Sequence, residues 1–426
     1  MQILSNLLSF SDVLKSIGGI VLAVVILLAM VTVHEFGHYV AGKILGFKIN
    51  EFAVGFGPAL LKKRSKKTGE LFALRIVPLG GYCAFDGEDE YEEEKEKDQD
   101  PPFAEMQNEG GMVETNEQPQ AKRAKDEYPE PQGERFNDQP PWKRIIVLVA
   151  GATMNYLLAL LLIVCMFAFI GRPVYSVYKE APGENASQGA IETYETGLRT
   201  GDVILELNGK TVYLFTDLLD ELKGKKKGET VELLVIRDGK EQTVSFALFE
   251  DAVVDNMSDN RAVFFSLGLA YREEVTNAVG ETSVKVTRSA SLTTVSTQEG
   301  FFQTIGHSFA YSFKIGGTVL RSLGELLTGK LGLETMGGPI TTIKITSEAA
   351  SSGVMSFLNI AAFIGVNLAV FNLLPVPALD GCKVIFCIIE WIRKKPVNRK
   401  VETIINLVGI VFLFGFAILV DILQFF

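Results

Sequence analysis

Apolar positions along this chain follow two patterns. In four stretches they run almost unbroken for about 17 residues or more, long enough for a helix to cross a ~30 Å hydrocarbon layer. These are residues 17–40, 144–170, 355–374 and 404–420. Elsewhere they alternate with polar residues or recur at helical spacing. Residues 48–85, "KINEFAVGFGPALLKKRSKKTGELFALRIVPLGGYCAF", alternate around Gly and Pro and predict strands joined by turns. Residues 172–276 predict a small β-rich domain. In it "GDVILELNG" is a turn and a strand, "TDLLDELK" a short helix opened by a Thr or Asp cap, and "VELLVIRDGKEQTVSF" a hairpin with an Asp-Gly turn. Residues 277–300 are Ser/Thr-rich and predict a linker. Residues 301–340 carry apolar groups at helical spacing, "FFQTIGHSFAYSFKIGGTVLRSLGELL", as an amphipathic helix on a membrane surface does.

The expected fold is therefore a polytopic α-helical membrane protein with four transmembrane helices, a β-hairpin loop and a separate β-rich domain. Its divisions fall at 1–47, 48–85, 86–140, 141–171, 172–276, 277–300, 301–340, 341–390 and 391–426. Composition refines this picture. The 426 residues are 47% hydrophobic and 22% charged, and the mean hydropathy is +0.23. The two fractions fit together because apolar and charged residues are segregated. Much of the net charge of −10 lies in 86–140, where "DGEDEYEEEKEKDQD" and a Pro/Gln/Gly-rich run leave little to build a core. That segment is expected to be disordered. The charge balance gives no footprint for nucleic acid.

Cations orient the spans. Lys43, Lys48 and "LKKRSKK" follow the first, "WKR" precedes the second, and "WIRKKPVNRK" joins the third and fourth. By the positive-inside rule these loops are cytoplasmic, so both termini and the 172–335 segment lie outside. The first span is not read as a signal peptide, because only Lys15 precedes it and no small-residue cleavage site follows. Cys83, Cys165, Cys382 and Cys387 form no CxxC pair, and none falls in the outer segment.

The first span ends in "VTVHEFGHYVAG". His34 and His38 are four apart and share a helix face, the spacing at which two imidazoles bind one Zn²⁺ with Glu35 beside them to handle protons. The chain has three histidines in all, and ionisable groups inside a span cost ~3 kcal/mol each. A catalytic zinc site takes three protein ligands and a water. A third histidine six residues after His38 is absent, since Ile44 stands there. Glu51 is too close, in a strand-like stretch, and His307 lies on the outer side as a solvated helix residue. The remaining candidate is Asp380 in "NLLPVPALDG", at the cytoplasmic end of the third span. His34 is about sixteen residues into its span, ~24 Å from the outer end, so the two depths agree. Pro375 and Pro377 break the helix there and free backbone groups that must line a polar cavity.

These motifs together resemble the site-2 protease family of intramembrane zinc metalloproteases, in particular its bacterial four-span branch with a PDZ domain. The resemblance rests on "HEFGH", "VGFGP", "PLGGY", "AGATMN", "GLRTGDVILELNGK", "GGPI" and "NLLPVPALDG", in the family's order over nearly the whole chain. It implies that His34, His38 and Asp380 are zinc ligands, that Glu35 is catalytic, and that Asn372, Pro375 and Pro377 help hold substrate. It also implies a multi-pass protein of the bacterial inner membrane. Its substrates would be single-pass membrane proteins such as anti-sigma factors, or remnant signal peptides, and a peptide or chain end would bind at the PDZ domain. The chain departs from the family in two places. Cys382 stands where a second glycine is usual after Asp-Gly, and the acidic insert is long.

A substrate helix must unwind before attack, and the edge at Gly80, Gly81 and Tyr82 is expected to receive the unwound segment as an added strand. Two other classes compete with a protease. One is a membrane-anchored PDZ adaptor with a non-catalytic zinc site, in which Glu35 would have no duty. The other is a transporter with a histidine–carboxylate relay, for which four spans without an inverted repeat are few.

Overall fold

The computed structural model describes residues 10–88, 128–179, 196–258, 260–276, 282–288 and 290–425. Its elements in chain order are α1 (Phe10–Leu45), β1 (Ile49–Arg64), β2 (Leu71–Phe85), α2 (Pro141–Phe169), β3 (Arg172–Lys179), β4 (Val203–Leu207), β5 (Lys210–Thr211), α3 (Phe215–Leu222), β6 (Thr230–Arg237) and β7 (Lys240–Ala247). There follow α4 (Arg261–Ser266), β8 (Ala270–Thr276), β9 (Thr282–Arg288), β10 (Ala290–Thr297), α5 (Phe301–Leu327), α6 (Pro339–Ser352), α7 (Val354–Leu373), α8 (Asp380–Arg393) and α9 (Arg399–Phe425). Contacts divide the chain into two units, Met1–Ala159 with Gly337–Phe426, and Leu160–Met336.

Among the described residues four helices are long and apolar enough to cross a membrane: Ile17–Leu45 within α1, Pro141–Phe169, Val354–Leu373 and Arg399–Gln424. Each contains most of an expected span. α1 runs past residue 40 because nothing breaks it before Gly46, whose φ of +80° ends the helix. Helices in lipid gain nothing from burying leucine against leucine, so they associate where small residues let backbones approach. α1 and α2 meet at Gly37, where a Cβ would collide with the Ala150 carbonyl. α1 meets α6 at Gly19, against Ser347, and α7 brings Gly365 against Ala159 and Met30. Large side chains point outward instead: Leu407, Val408, Val411, Phe412 and Phe414 of α9 are all exposed.

β1 and β2 are longer than the short strands expected, and each bends at glycines: Gly55 and Gly57 in β1, and Gly80 in β2 (φ +87°, +82° and +110°). The bends fold one hairpin into four short segments. Residues 51–54 sit in the middle, opposite 81–84 on one side and 71–74 on the other. Residues 59–64 then pair outside 71–75. The free edges are 81–85 and 59–64. The sheet is anchored beneath by Phe47, Ile49, Cys83, Phe85, Val147 and Leu148.

Phe136, within the segment expected to be disordered, belongs to the same cluster and is 5% exposed. Lys48 N donates to the Glu134 carbonyl and Phe136 N to that of Asp86. So residues 128–140 are structured, because one aromatic finds a place against Phe47 and Phe85. The rest of that expectation, at 89–127, lies outside the described residues.

In the second unit the sheet order is β10-β3-β4-β6-β7, with β5 on β4. The linker expected over 277–300 is a correction: it holds β9 and β10. β10 pairs with β3 residue for residue from Ala290–Lys179 to Thr297–Arg172, and β8 pairs with β9. A Thr-rich run is β-branched as well as polar, which suits a half-exposed strand. The β6–β7 turn has Asp238 and Gly239 at φ +50° and +73°, as an Asp-Gly hairpin requires. α3 has no Thr or Asp cap at its start. Asp217 lies inside it and accepts the N–H groups of Tyr213 and Leu214 at 2.9 and 3.0 Å.

α5 splits into a buried face of mixed residues and an exposed face rich in Phe. Thr304, Ser308, Tyr311, Ser312 and Ile315 are buried, while Phe302, Phe309, Phe313 and Leu320 are exposed. The helix ends at Leu327, short of the expected 340, and residues 339–352 form α6 instead.

Candidate metal centre

His34 and His38 lie one turn apart on α1, 8% and 7% exposed. Their Nε2 atoms are 3.2 Å apart. Asp380 Oδ2 stands 3.0 Å from the first and 3.3 Å from the second. Among the described residues this is the one group of three His, Cys, Asp or Glu donors close enough to share an ion. The sequence-matched depths therefore bring together residues from opposite ends of the chain.

What surrounds the triangle decides what it can hold. His38 Nδ1 lies 2.8 Å from the Val147 carbonyl oxygen. A carbonyl only accepts, so Nδ1 carries the ring proton and Nε2 keeps a bare lone pair. His34 Nδ1 is 3.4 Å from the side-chain amide of Asn155. That amide is 1% exposed and its oxygen has no partner. Rotating it by half a turn presents the oxygen to His34 Nδ1–H, satisfies both groups and bares the second Nε2. Asp380 Oδ2 is likewise buried without a hydrogen bond. Three lone pairs thus converge with no proton between them, an arrangement that a cation relieves. A tetrahedral zinc with bonds of about 2.0–2.1 Å holds its ligand atoms ~3.3 Å apart, close to the spacing seen here. The donor set fits zinc.

Gly151 on α2 makes room for this. A Cβ there would collide with His38 Nε2 and come within 2.8 Å of His34 Cε1. Asp380 opens α8 after a non-helical 374–379 segment, in which Ala378 adopts φ +76° and its N–H donates to Asn406 Oδ1 at 3.3 Å. Gly381 packs against the backbone of Leu373 and Leu374, which a Cβ would strike. The next residue has no such constraint. Cys382 is buried at 7% and its N–H donates to Leu379 O, so the departure from the second glycine costs no contact.

Glu35 is half-buried and forms no hydrogen bond or ion pair with the described residues. Gly81 lies beside it: a Cβ there would be 3.3 Å from Glu35 Cγ. The sheet edge at 81–85 therefore runs past the carboxylate. Tyr82 does not point a free hydroxyl, which Arg75 Nη2 holds at 2.5 Å while also bonding Glu51 at 2.7 Å. Gly80 packs on the Phe56 ring. Asn372 is half-buried on the last turn of α7, Pro375 is exposed, and Pro377 packs against Gly409 of α9.

The two residues set aside as ligands belong elsewhere. Glu51 is paired with Arg75. His307 is not a solvated helix residue: its Nδ1 is 2.7 Å from Glu299 Oε2 and its ring meets Tyr213 edge-on. Sequence reasoning gave no role to Asn155, Gly151 or Val147. The first two stand in the quoted "AGATMN", and their four-residue spacing on one helix face is the signal that could have found them.

The family model for peptidase family M50 matches residues 22–416. The regulator of sigma-W protease RasP of Bacillus subtilis is 25% identical over 93% of this chain and 96% of its own length. The zinc metalloproteases RasP of Bacillus licheniformis and Geobacillus kaustophilus are each 26% identical. They cover 90% and 97% of this chain, and 93% and 99% of their own lengths.

Proposed function

The chain belongs to peptidase family M50 and is a zinc metalloprotease, and on that premise we propose that His34, His38 and Asp380 hold its zinc while Glu35 moves the protons. The carrying observation is the convergence of two bare Nε2 atoms and one carboxylate oxygen within 3.0–3.3 Å. When bound there, zinc supplies Lewis acidity, which makes water nucleophilic near neutral pH and polarises a scissile carbonyl. Glu35, one residue from a ligand and without a hydrogen-bond partner among the described residues, accepts the proton of the attacking water and returns it to the departing amine. Val147 and Asn155 keep the imidazoles oriented.

The substrate is a transmembrane segment of a single-pass membrane protein. Such a helix hides its peptide bonds, so it has to unwind before reaching Glu35. The free edge at 81–85 offers its backbone N–H and C=O groups to the unwound strand, and Gly80, Gly81 and Tyr82 border its path. Gly81, without a side chain, leaves space beside the carboxylate. Asn372 supplies an amide for the freed backbone, and Pro375 and Pro377 keep the approach to Asp380 non-helical.

The positive-inside rule applied to the basic loops supports a site towards the cytoplasmic side of the bacterial plasma membrane, with both termini and residues 172–335 outside. The second unit acts as a PDZ-like filter that binds a chain end or excludes bulky outer domains. The Bacillus subtilis relative carries the name regulator of sigma-W protease, and anti-sigma factors already trimmed by another protease are accordingly our first substrate class. Remnant signal peptides are the second.

The test is Glu35→Gln in purified protein. It should keep about one zinc per chain and lose cleavage of a membrane-helix substrate by ~100-fold or more. Zinc retained by the wild type with no cleavage of any helix tested would favour the adaptor.

A further inference from the structure

The first turn of α8 carries Asp380, and one turn on it carries Lys383. Lys383 Nζ lies 2.6 Å from Glu88 Oε1, with side-chain exposures of 30% and 17%. Glu88 is far away in sequence and stands at the threshold of the acidic insert, a place fastened from several directions. Asp86 N donates to the Lys48 carbonyl, and the Asp86 carboxylate pairs with Lys48 Nζ at 2.8 Å. Phe136 N donates to Asp86 O, and the Asn137 amide donates to Gly87 O. Phe136 itself is wedged between Phe47 and Phe85. Residues 86–88 thus form a rigid post on the same core that carries the end of α1, and Lys383 ties α8 to it.

We propose that the Lys383–Glu88 ion pair positions Asp380, holding the helix that bears one metal ligand in register with the helix that bears the other two. A second ion pair, Arg144 Nη2 to Glu390 Oε1 at 2.6 Å, fastens the far end of α8 to α2, and the Lys383 pair is the charged tether nearest the ligand-bearing turn. Gly381 packs against Leu373 and Leu374 just before the helix, and the Asn406 contact is to Ala378, also ahead of it. Without the pair, the first turn of α8 loses its nearest charged anchor, and Oδ2 is held less firmly against the imidazoles. Both are positioning residues; neither touches the reacting atoms.

This inference rests on the ligand assignment above, and the experiment separates the two. Apparent zinc affinity is measured by competition with a graded chelator on full-length protein in lipid nanodiscs, alongside thermal unfolding of the metal-free protein. Glu88→Gln and Lys383→Met should each weaken zinc about tenfold, the low end for partners one step behind a ligand, with little change in metal-free unfolding. The exchanged pair, Glu88→Lys with Lys383→Glu, should recover to within about threefold of wild type, an interaction energy that only a direct contact gives. Single variants with wild-type affinity, or an exchanged pair no better than the singles, would overturn the proposal. Asp380→Asn serves as the reference: if it keeps wild-type affinity, the ligand assignment itself has failed.

Discussion

Two constellations in this protein combine histidine with carboxylate, and they are opposites. In the second unit Glu299 gives one oxygen to Arg172 Nε at 2.6 Å and the other to His307 Nδ1 at 2.7 Å. Arg172 also donates to the Val212 carbonyl and stacks on Tyr213. Donors there meet acceptors, and the cluster is complete in itself. In the first unit His34, His38 and Asp380 turn acceptors towards one another, while their remaining donors are used up on Val147 and beside Asn155. The residue types are nearly the same. What marks a metal centre is where the spare lone pairs go, and that is fixed by the outer neighbours.

Substitutions can break this contrast. The largest effect is expected for Asp380→Asn, which removes an anionic ligand: zinc content measured by mass spectrometry should fall to background, and cleavage with it. In the other cluster Glu299→Gln should leave zinc untouched and lower the unfolding free energy of the second unit by ~3 kcal/mol, because Arg172 is left buried without its counter-charge. Thermal melts report the second effect and metal analysis the first. Loss of zinc from Glu299→Gln would end the distinction.

Smaller changes sharpen it. Gly151→Ala puts a methyl group against both imidazoles and should weaken zinc ~10–100-fold in chelator competition. Asn155→Leu removes the partner of His34 Nδ1 and should fall at the lower end of the same range, with kcat reduced more than KM. His307→Ala should be the mildest, about 1 kcal/mol in the melt with zinc and cleavage rate unchanged.

Much of the first constellation could be read from sequence because a bilayer acts as a ruler. Position along a span converts to depth at a fixed rise per residue, so His34 and Asp380 could be matched across the whole chain. Rotation about a helix axis has no such ruler, and that hid Asn155 and Gly151. β10 was missed because Thr and Ser look like linker composition until a partner strand makes their β-branching count. Phe136 was missed because one aromatic in an acidic run carries no periodicity. The refolding of β1 and β2 into four segments depends on long-range pairing, of which the glycines give only the bend points. Glu88 and Lys383 each look like ordinary solvated charges, since an ion pair between distant residues leaves no local trace.

The donors of the proposed metal centre are drawn from the first tenth and the last eighth of this sequence. A ribosome therefore releases His34 and His38 long before Asp380 exists to join them. On the proposed assignment, the ring of ligands stays open through most of synthesis and closes only when Asp380 has been inserted.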